Sequence, residues 1–374
     1  MAGETVTIIA VGDLRPDRDD PESILAPNAH VLREADIAFG QLETNFSERG
    51  TPHIGRGAPR RAHPKNVSAL TYAGFDVISF ASNHALDFGY DAFFDTIDLL
   101  RKNGIDIVGV GKDLEEASKP AILERKGTKV AFLAYNSILM GWLRGYAADT
   151  DRPGCNPLRA YTFYEPVGYG YQPGTPGKAI TFAYPEDKAR MIEDIKRARA
   201  AADVVVVSQH AGVLHVHAVI AMYQKEIAYA AIDAGADIVL QHHAHLLKGI
   251  ETYKGKPIFY GLGNFAFESG SAGREKRWWS EIEEYYGLQV EPGWELYPMR
   301  PEARKTLAAK FLISDNRLKK VTYIPCYVNQ QAQSEILTRS DKRSAEVYDY
   351  VEELSRSQGL NVQFRWDGNE VAVV

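Results

Sequence analysis

Short apolar runs of strand length recur along the chain, and they limit its possible folds more than any other feature. They read "TVTIIAVG" (5–12), "DIAFG" (36–40), "DVISFA" (76–81), "DIVGVG" (106–111), "KVAFLAY" (129–135), "DVVVVSQ" (203–209), "DIVLQ" (237–241) and "PIFYGLGN" (257–264). Most are too short for helices and lack clean alternation, which suits strands covered on both faces. Between them, stretches 64–74, 91–104, 185–202 and 223–235 carry apolar residues at three-and-four spacing. Three of these stop at Gly74, Gly104 or Gly235, a residue type that accepts the left-handed backbone of a helix end. Strand alternating with helix predicts an α/β layer architecture with a mainly parallel sheet. Ligands of such sheets bind beyond the carboxyl ends of the strands, so chemistry is expected in the residues that follow each run.

Those positions are distinctive. Asp13 follows the first run, Glu43 lies after the second in "GQLETN", and Asn83 with His84 follow the third in "ASNHALDFG". "VSQHAGVLHVH" supplies His210, His215 and His217, "QHHAHLL" supplies His242, His243 and His245, and "YGLGNF" places Asn264 after the last run. Of ten histidines, seven fall at these strand ends. Any one of them alone reads as a cap, a turn former or a hydrogen-bonded structural residue. Together on one sheet edge, carboxylates, an amide and imidazoles without a thiolate form a donor set for a borderline divalent cation. Mn, Fe or Zn fits such a set better than Ca or Mg, with Mn favoured. A bridging carboxylate can hold two such ions about 3.5–4 Å apart and activate a water for in-line displacement, so one or two are expected.

Other function classes are disfavoured. The 43 basic against 49 acidic residues leave a net charge of −6, with no Lys/Arg run long enough to track a phosphate backbone, so nucleic acid is not an expected partner. Cys155 and Cys326 are far apart and form no CxxC, so neither a disulfide framework nor a thiolate metal site is expected. The N-terminus has no signal-peptide pattern and no segment has 18 consecutive apolar residues, which predicts no membrane span and a cytoplasmic location.

The chain reads as a single domain, 1–374, with two interruptions. Residues 141–178 are dense in Gly, Pro and Tyr, and 268–305 hold Trp278, Trp279 and Trp294 among mixed charges; both are expected to be loop insertions acting as lids. Residues 306–374 are expected to form a closing hairpin and helix extension, with turns at Asp315-Asn316 and at Asp367-Gly368-Asn369.

The motifs, in their order, resemble those of the CapA family (the poly-γ-glutamate capsule biosynthesis protein type): "VGDL", "GQLET", "ASNHALDFG", "SQHAG" and "HHAHLLKGIETYKGKPIFYGLGNF", over about residues 5 to 267. The resemblance implies a calcineurin-like metallophosphoesterase sandwich, a four-layer α/β/β/α fold. It further implies Asp13, Glu43, Asn83, His210, His243 and His245 as metal ligands, with Glu43 bridging, and His84 as a catalytic group for proton transfer. His242 and Asn264 would then orient the ligands from behind. Arg15 stands where typical metallophosphoesterases place a ligand histidine, and the chain departs from the family's motifs at Gln41, Ala211 and Gln241. His215 fills a position that faces the site in relatives and is expected to contact substrate or act catalytically.

Three functions follow from this reading. The first is hydrolysis of a phosphoester, or of an amide bond in an acidic or γ-glutamyl peptide, by metal-activated water, with Arg56, Arg60 and Arg61 binding the substrate's anionic groups. The second is metal-dependent peptide epimerisation, with His84 and His215 as opposed bases. The third is a non-catalytic part in capsule assembly.

Overall fold

The computed structural model describes residues 4–53, 59–139, 145–166, 177–268 and 291–374. The first half runs β1 (Val6–Arg15), α1 (Ala29–Glu34), β2 (Ile37–Leu42), α2 (Val67–Ala73), β3 (Val77–Ser79), α3 (Gly89–Lys102) and β4 (Asp106–Val108). A second set follows: β5 (Ala121–Arg125), β6 (Thr128–Asn136), α4 (Pro185–Ala201), β7 (Val204–His210), α5 (Met222–Ala234), β8 (Ile238–His242), β9 (Ile250–Tyr253) and β10 (Lys256–Phe259). The chain then returns through β11 (Asn264–Phe267), β12 (Lys305–Ser314), β13 (Arg317–Val328), α6 (Lys342–Ser357), β14 (Phe364–Asp367) and β15 (Glu370–Val373).

Two sheets result. The larger has the order β14-β15-β13-β12-β1-β2-β3-β4, with β11 also pairing to β1, and the smaller has the order β9-β10-β8-β7-β6-β5. Pairing is parallel from β1 to β4, between β1 and β11, and from β6 through β7 and β8 to β10, while the strands that return after β11 are antiparallel. The reason the runs lack alternation is now visible. In β1, Val6, Ile8 and Ala10 face the layer between the sheets, whereas Ile9 and Val11 face α1–α3. In β7, Val204 and Val206 point inward while Val205 and Val207 meet α4 and α5. Both faces are apolar because both are covered.

The layers are therefore helix, sheet, sheet, helix, as expected of a calcineurin-like sandwich. Helix α3 buries Ala92, Phe93, Thr96, Ile97 and Leu100 at the predicted spacing, and Gly74 closes α2 in left-handed backbone at φ 80°. Both expected C-terminal hairpins form. Asp315 and Asn316 each take positive φ between β12 and β13, which matches the right-handed twist of the strands.

Residues 141–178 do not read as loop alone where they are described. Gly154–Cys155 pairs with Val110–Gly111, and Ala160–Glu165 pairs with Lys178–Ala183 as an antiparallel ribbon. Glycine and proline density masked the strand alternation of "AYTFYE". In the second stretch, Trp294 lies 3.6 Å from the Arg304 guanidinium, and Tyr297 and Met299 pack with Leu246 and Phe267. Trp278 and Trp279 fall outside the described residues.

Candidate metal centre

The carboxyl ends of β1, β2, β3, β7 and β8 meet along one edge of the inter-sheet layer. On the second sheet, strand parity turns inward the C-terminal residues of both β7 and β8, so His210 and His242 stand side by side as register partners. On the first sheet, parity alone would turn Asp13 toward the helices. The register of β1 shifts between Ala10 and Asp13 against β2, and again after Asp13 against β11, which re-aims the carboxylate between the sheets. A backbone bond from Asp13 N–H to Gly263 O, 2.9 Å, holds that bend.

Asp13 faces two histidines: His245 Nδ1 lies 3.1 Å from its Oδ2 and His242 Nδ1 lies 3.5 Å from its Oδ1. Glu43 faces His210, Nδ1 to Oε1 at 3.2 Å. The side-chain oxygen of Asn83 lies 2.8 Å from His210 Nε2 and 3.2 Å from His243 Nδ1, so one amide joins two imidazoles. Ligand atoms of Asp13, Glu43 and His210 all lie within 4.8 Å of one another, and all three residues are buried. Asn264 Oδ1 lies 2.7 Å from His245 Nδ1, and the His215 ring sits 5.4 Å from that of His245.

Three of these histidines hold left-handed backbone: φ is 86° at His243, 53° at His245 and 53° at His215. Non-glycine residues adopt it at a cost, and such residues cluster where the surroundings fix a functional geometry. The turn after β8 thus turns His243 toward Asn83 and His245 toward Asp13.

The electrostatics suit a cation. Burial opposes ionisation of Asp13, yet His242 and His245 hold its carboxyl well below the ordinary carboxylate range. Burial, and next the neighbouring His243 ring, push His210 well below the usual imidazole value, so the ring stays neutral, the form that binds a metal. Both Asp13 oxygens, His210 Nδ1 and both nitrogens of His242 make no hydrogen bond among the described residues. Buried polar atoms left so cost about 1–3 kcal/mol each, and a divalent ion between them would satisfy several at once. The residues present therefore fit a metal of the borderline class.

His84 borders that cluster on the Glu43 side. Its Nδ1 lies 2.7 Å from Asp87 Oδ2, and its Nε2 turns toward Glu43, 3.8 Å from Oε2. Asp87 also accepts hydrogen bonds from Tyr146 Oη at 3.0 Å and from the Arg60 backbone N–H at 2.6 Å. The support of His84 escaped the sequence reading, although Asp87 lies in the quoted "ASNHALDFG", three residues on. Arg15 is buried with its guanidinium 5.2 Å from the Phe267 ring centre; burial draws its pKa down to about 10, against the pull of Asp17, Glu43, Asp87 and Glu268.

The expected substrate arginines separate. Arg56 lies outside the described residues. Arg60 is buried beside Asp87. Arg61 packs its guanidinium over Phe88 at 4.3 Å and donates to the Glu48 and Arg49 carbonyls. Of the other departures, Ala211 packs with Tyr223 and Ile227 in the helix layer, and its backbone N–H lies 3.4 Å from the His242 carbonyl oxygen. Gln241 joins an amide chain, accepting from Gln224 and donating to Gln209, each at 2.8 Å.

Residues 7–269 match the family described as bacterial capsule synthesis protein PGA_cap. The PGA biosynthesis protein CapA of Bacillus subtilis (strain 168) is 30% identical over 242 residues, 64% of this chain and 55% of that protein. A probable polyglutamine synthesis accessory protein of Mycobacterium tuberculosis is 32% identical over 261 residues, 69% of this chain and 62% of that protein. The chain thus spans little more than half the length of these relatives. Among solved structures, a hypothetical protein from Thermus thermophilus aligns with TM-score 0.45 at 14% identity, over 86% of this chain and 98% of that one. A calcineurin-like phosphoesterase from Bacillus subtilis aligns with TM-score 0.37 at 12% identity, over 96% and 98%.

Proposed function

The chain belongs to the bacterial capsule synthesis protein PGA_cap family, and from that premise we propose that it is a divalent-metal-dependent hydrolase of an anionic substrate, with a phosphoester as the first class. The observation that carries this reading is the buried Asp13–Glu43–His210 group, whose ligand atoms lie within 4.8 Å of one another at the strand ends. His242, His243, His245 and Asn83 would complete the donor set for one or two ions. A bound cation supplies Lewis acidity toward the scissile group and lowers the pKa of water.

The chain's own residues do the rest. Asp87 fixes the ring of His84 through Nδ1 and presents Nε2 toward Glu43, where it can hold a proton and pass it to a leaving-group oxygen. Arg15 keeps a guanidinium beside the carboxylates, suited to an anionic oxygen of the substrate. The 215–218 loop sets His215 against His245 and closes that flank to solvent.

The named relatives favour a second substrate class for the same centre. Their names concern PGA biosynthesis and polyglutamine synthesis, and the amide of an acidic peptide is the alternative bond. Assays of bis-p-nitrophenyl phosphate and of oligo-γ-glutamate with added Mn test both. Metal-dependent turnover of either, lost in Asp13→Asn, supports a hydrolase. Bound metal without turnover of either contradicts it and leaves an accessory role in capsule synthesis.

A further inference from the structure

We propose that Tyr297, from the 268–305 stretch, is a positioning residue that sets the tautomer of His245 through Asn264; the proposal rests on His245 being part of the metal centre. The argument starts from a group that can only accept. The carbonyl oxygen of Ala303 lies 2.8 Å from Tyr297 Oη, so the phenol hydrogen goes there. Tyr297 Oη therefore faces Asn264, 2.8 Å away, as an acceptor, and the Asn264 atom at that contact must be the NH₂ nitrogen. The amide oxygen is then turned to His245 Nδ1 at 2.7 Å. Nδ1 faces two oxygens without a hydrogen, this one and Asp13 Oδ2 at 3.1 Å, so Nδ1 carries the proton and Nε2 is the nitrogen left with a lone pair for a cation.

The ordinary ambiguity over which way an asparagine points disappears here, because each step is forced by the one before. The alternative order sets the bare Tyr297 oxygen against the bare Ala303 carbonyl. Every member is sealed from water that could repair such a mismatch: Tyr297 and Asn264 are 0% exposed and Ala303 is 1% exposed. Burial also raises the phenol's pKa, so its hydrogen stays in place. Tyr297 is wedged among Leu246, Phe267, Met299, Ala303 and Val328, which fixes its ring between β11, β13 and the turn after β8. The Tyr297 end of the second insertion is thus wired to the metal-facing histidine nearest Asp13. Groups behind ligand histidines commonly govern ring orientation and tautomer.

The test reads the tautomer directly. The metal-free protein, labelled with ¹⁵N at histidine, is examined by long-range ¹H–¹⁵N correlation, with His245→Gln identifying the His245 signals. The expected wild-type pattern is a proton on Nδ1 and a lone pair on Nε2. Tyr297→Phe removes the oxygen that orients the amide. It is expected to mix the two tautomers and to weaken metal affinity about 10–100-fold, with circular dichroism reporting that the fold persists. Should that variant not fold, the wild-type spectrum decides alone. A wild-type ring with its proton on Nε2 or on both nitrogens overturns the proposal, and so does a folded Tyr297→Phe with unchanged tautomer and affinity. The expected tautomer in a protein that takes up no metal supports the wiring and contradicts the metal centre instead, so the two failures are distinct.

Discussion

His84 Nδ1 sits 2.7 Å from Asp87 Oδ2, and the same carboxylate gathers the Tyr146 hydroxyl and the Arg60 backbone N–H. A turn of three residues thus carries both a proton-handling imidazole and the group that orients it. Asp87→Asn keeps the shape but offers an amide that can present a hydrogen to Nδ1. We expect kcat to fall by about 10²–10⁴-fold with bound metal unchanged. Steady-state kinetics beside metal analysis checks this; loss of metal with loss of activity would place Asp87 in the centre's support instead.

His242 is expected to matter as much to metal retention as His245. The family resemblance implies His243 and His245 as ligands and His242 as their support. In the fold, His242 Nδ1 lies 3.5 Å from Asp13 Oδ1, and neither ring nitrogen makes a hydrogen bond among the described residues. His242→Ala and His245→Ala should lower metal content alike. Full metal in His242→Ala returns it to a supporting role.

The strand-end residues were legible because strand parity and helix spacing survive in a sequence whose faces are both buried. Asp13, Glu43, Asn83, His210, His243 and His245 were all found at the run ends, and the fold brings them to one edge. What was not legible is what bends the backbone. The register shifts of β1 that re-aim Asp13, and the left-handed His215, His243 and His245, leave no periodic trace. Tyr297 was missed for another reason: its partners Asn264 and Ala303 are met only through tertiary packing, and its surroundings read as a Trp-rich insertion.

Gly12→Ala should destabilise the protein by about 3 kcal/mol or more. A Cβ there would overlap the carbonyl oxygen of Gly263, the acceptor for the Asp13 N–H. Neither backbone can yield without moving Asp13. Chemical denaturation measures the loss, and a change below about 0.5 kcal/mol, the range of neutral surface substitutions, contradicts the close approach.

Lys248 supplies a pH test. It is buried, with Nζ donating to the Val216 carbonyl, and burial lowers its pKa from the ordinary 10.5 to about 8. The folded chain binds this proton less tightly than the unfolded chain. Its burial cost is therefore full below pH 8, relieved as pH rises to 10.5, and absent above that. Lys248→Met keeps the stem and removes the charge, so its stability gain, about 1–3 kcal/mol at pH 7, should shrink across that window. A pH-independent difference between variant and wild type in denaturation curves contradicts this.

The central claim is that the edge built from Asp13, Glu43 and His210 binds a divalent metal. Elemental analysis of the protein purified without chelator, set beside Asp13→Asn and His210→Ala, addresses it most directly. The account predicts a molar equivalent or more of Mn, Fe or Zn in the wild type and its loss in both variants, with the fold retained by circular dichroism. A folded wild type that holds no metal, and takes up none on addition of Mn or Zn, contradicts it.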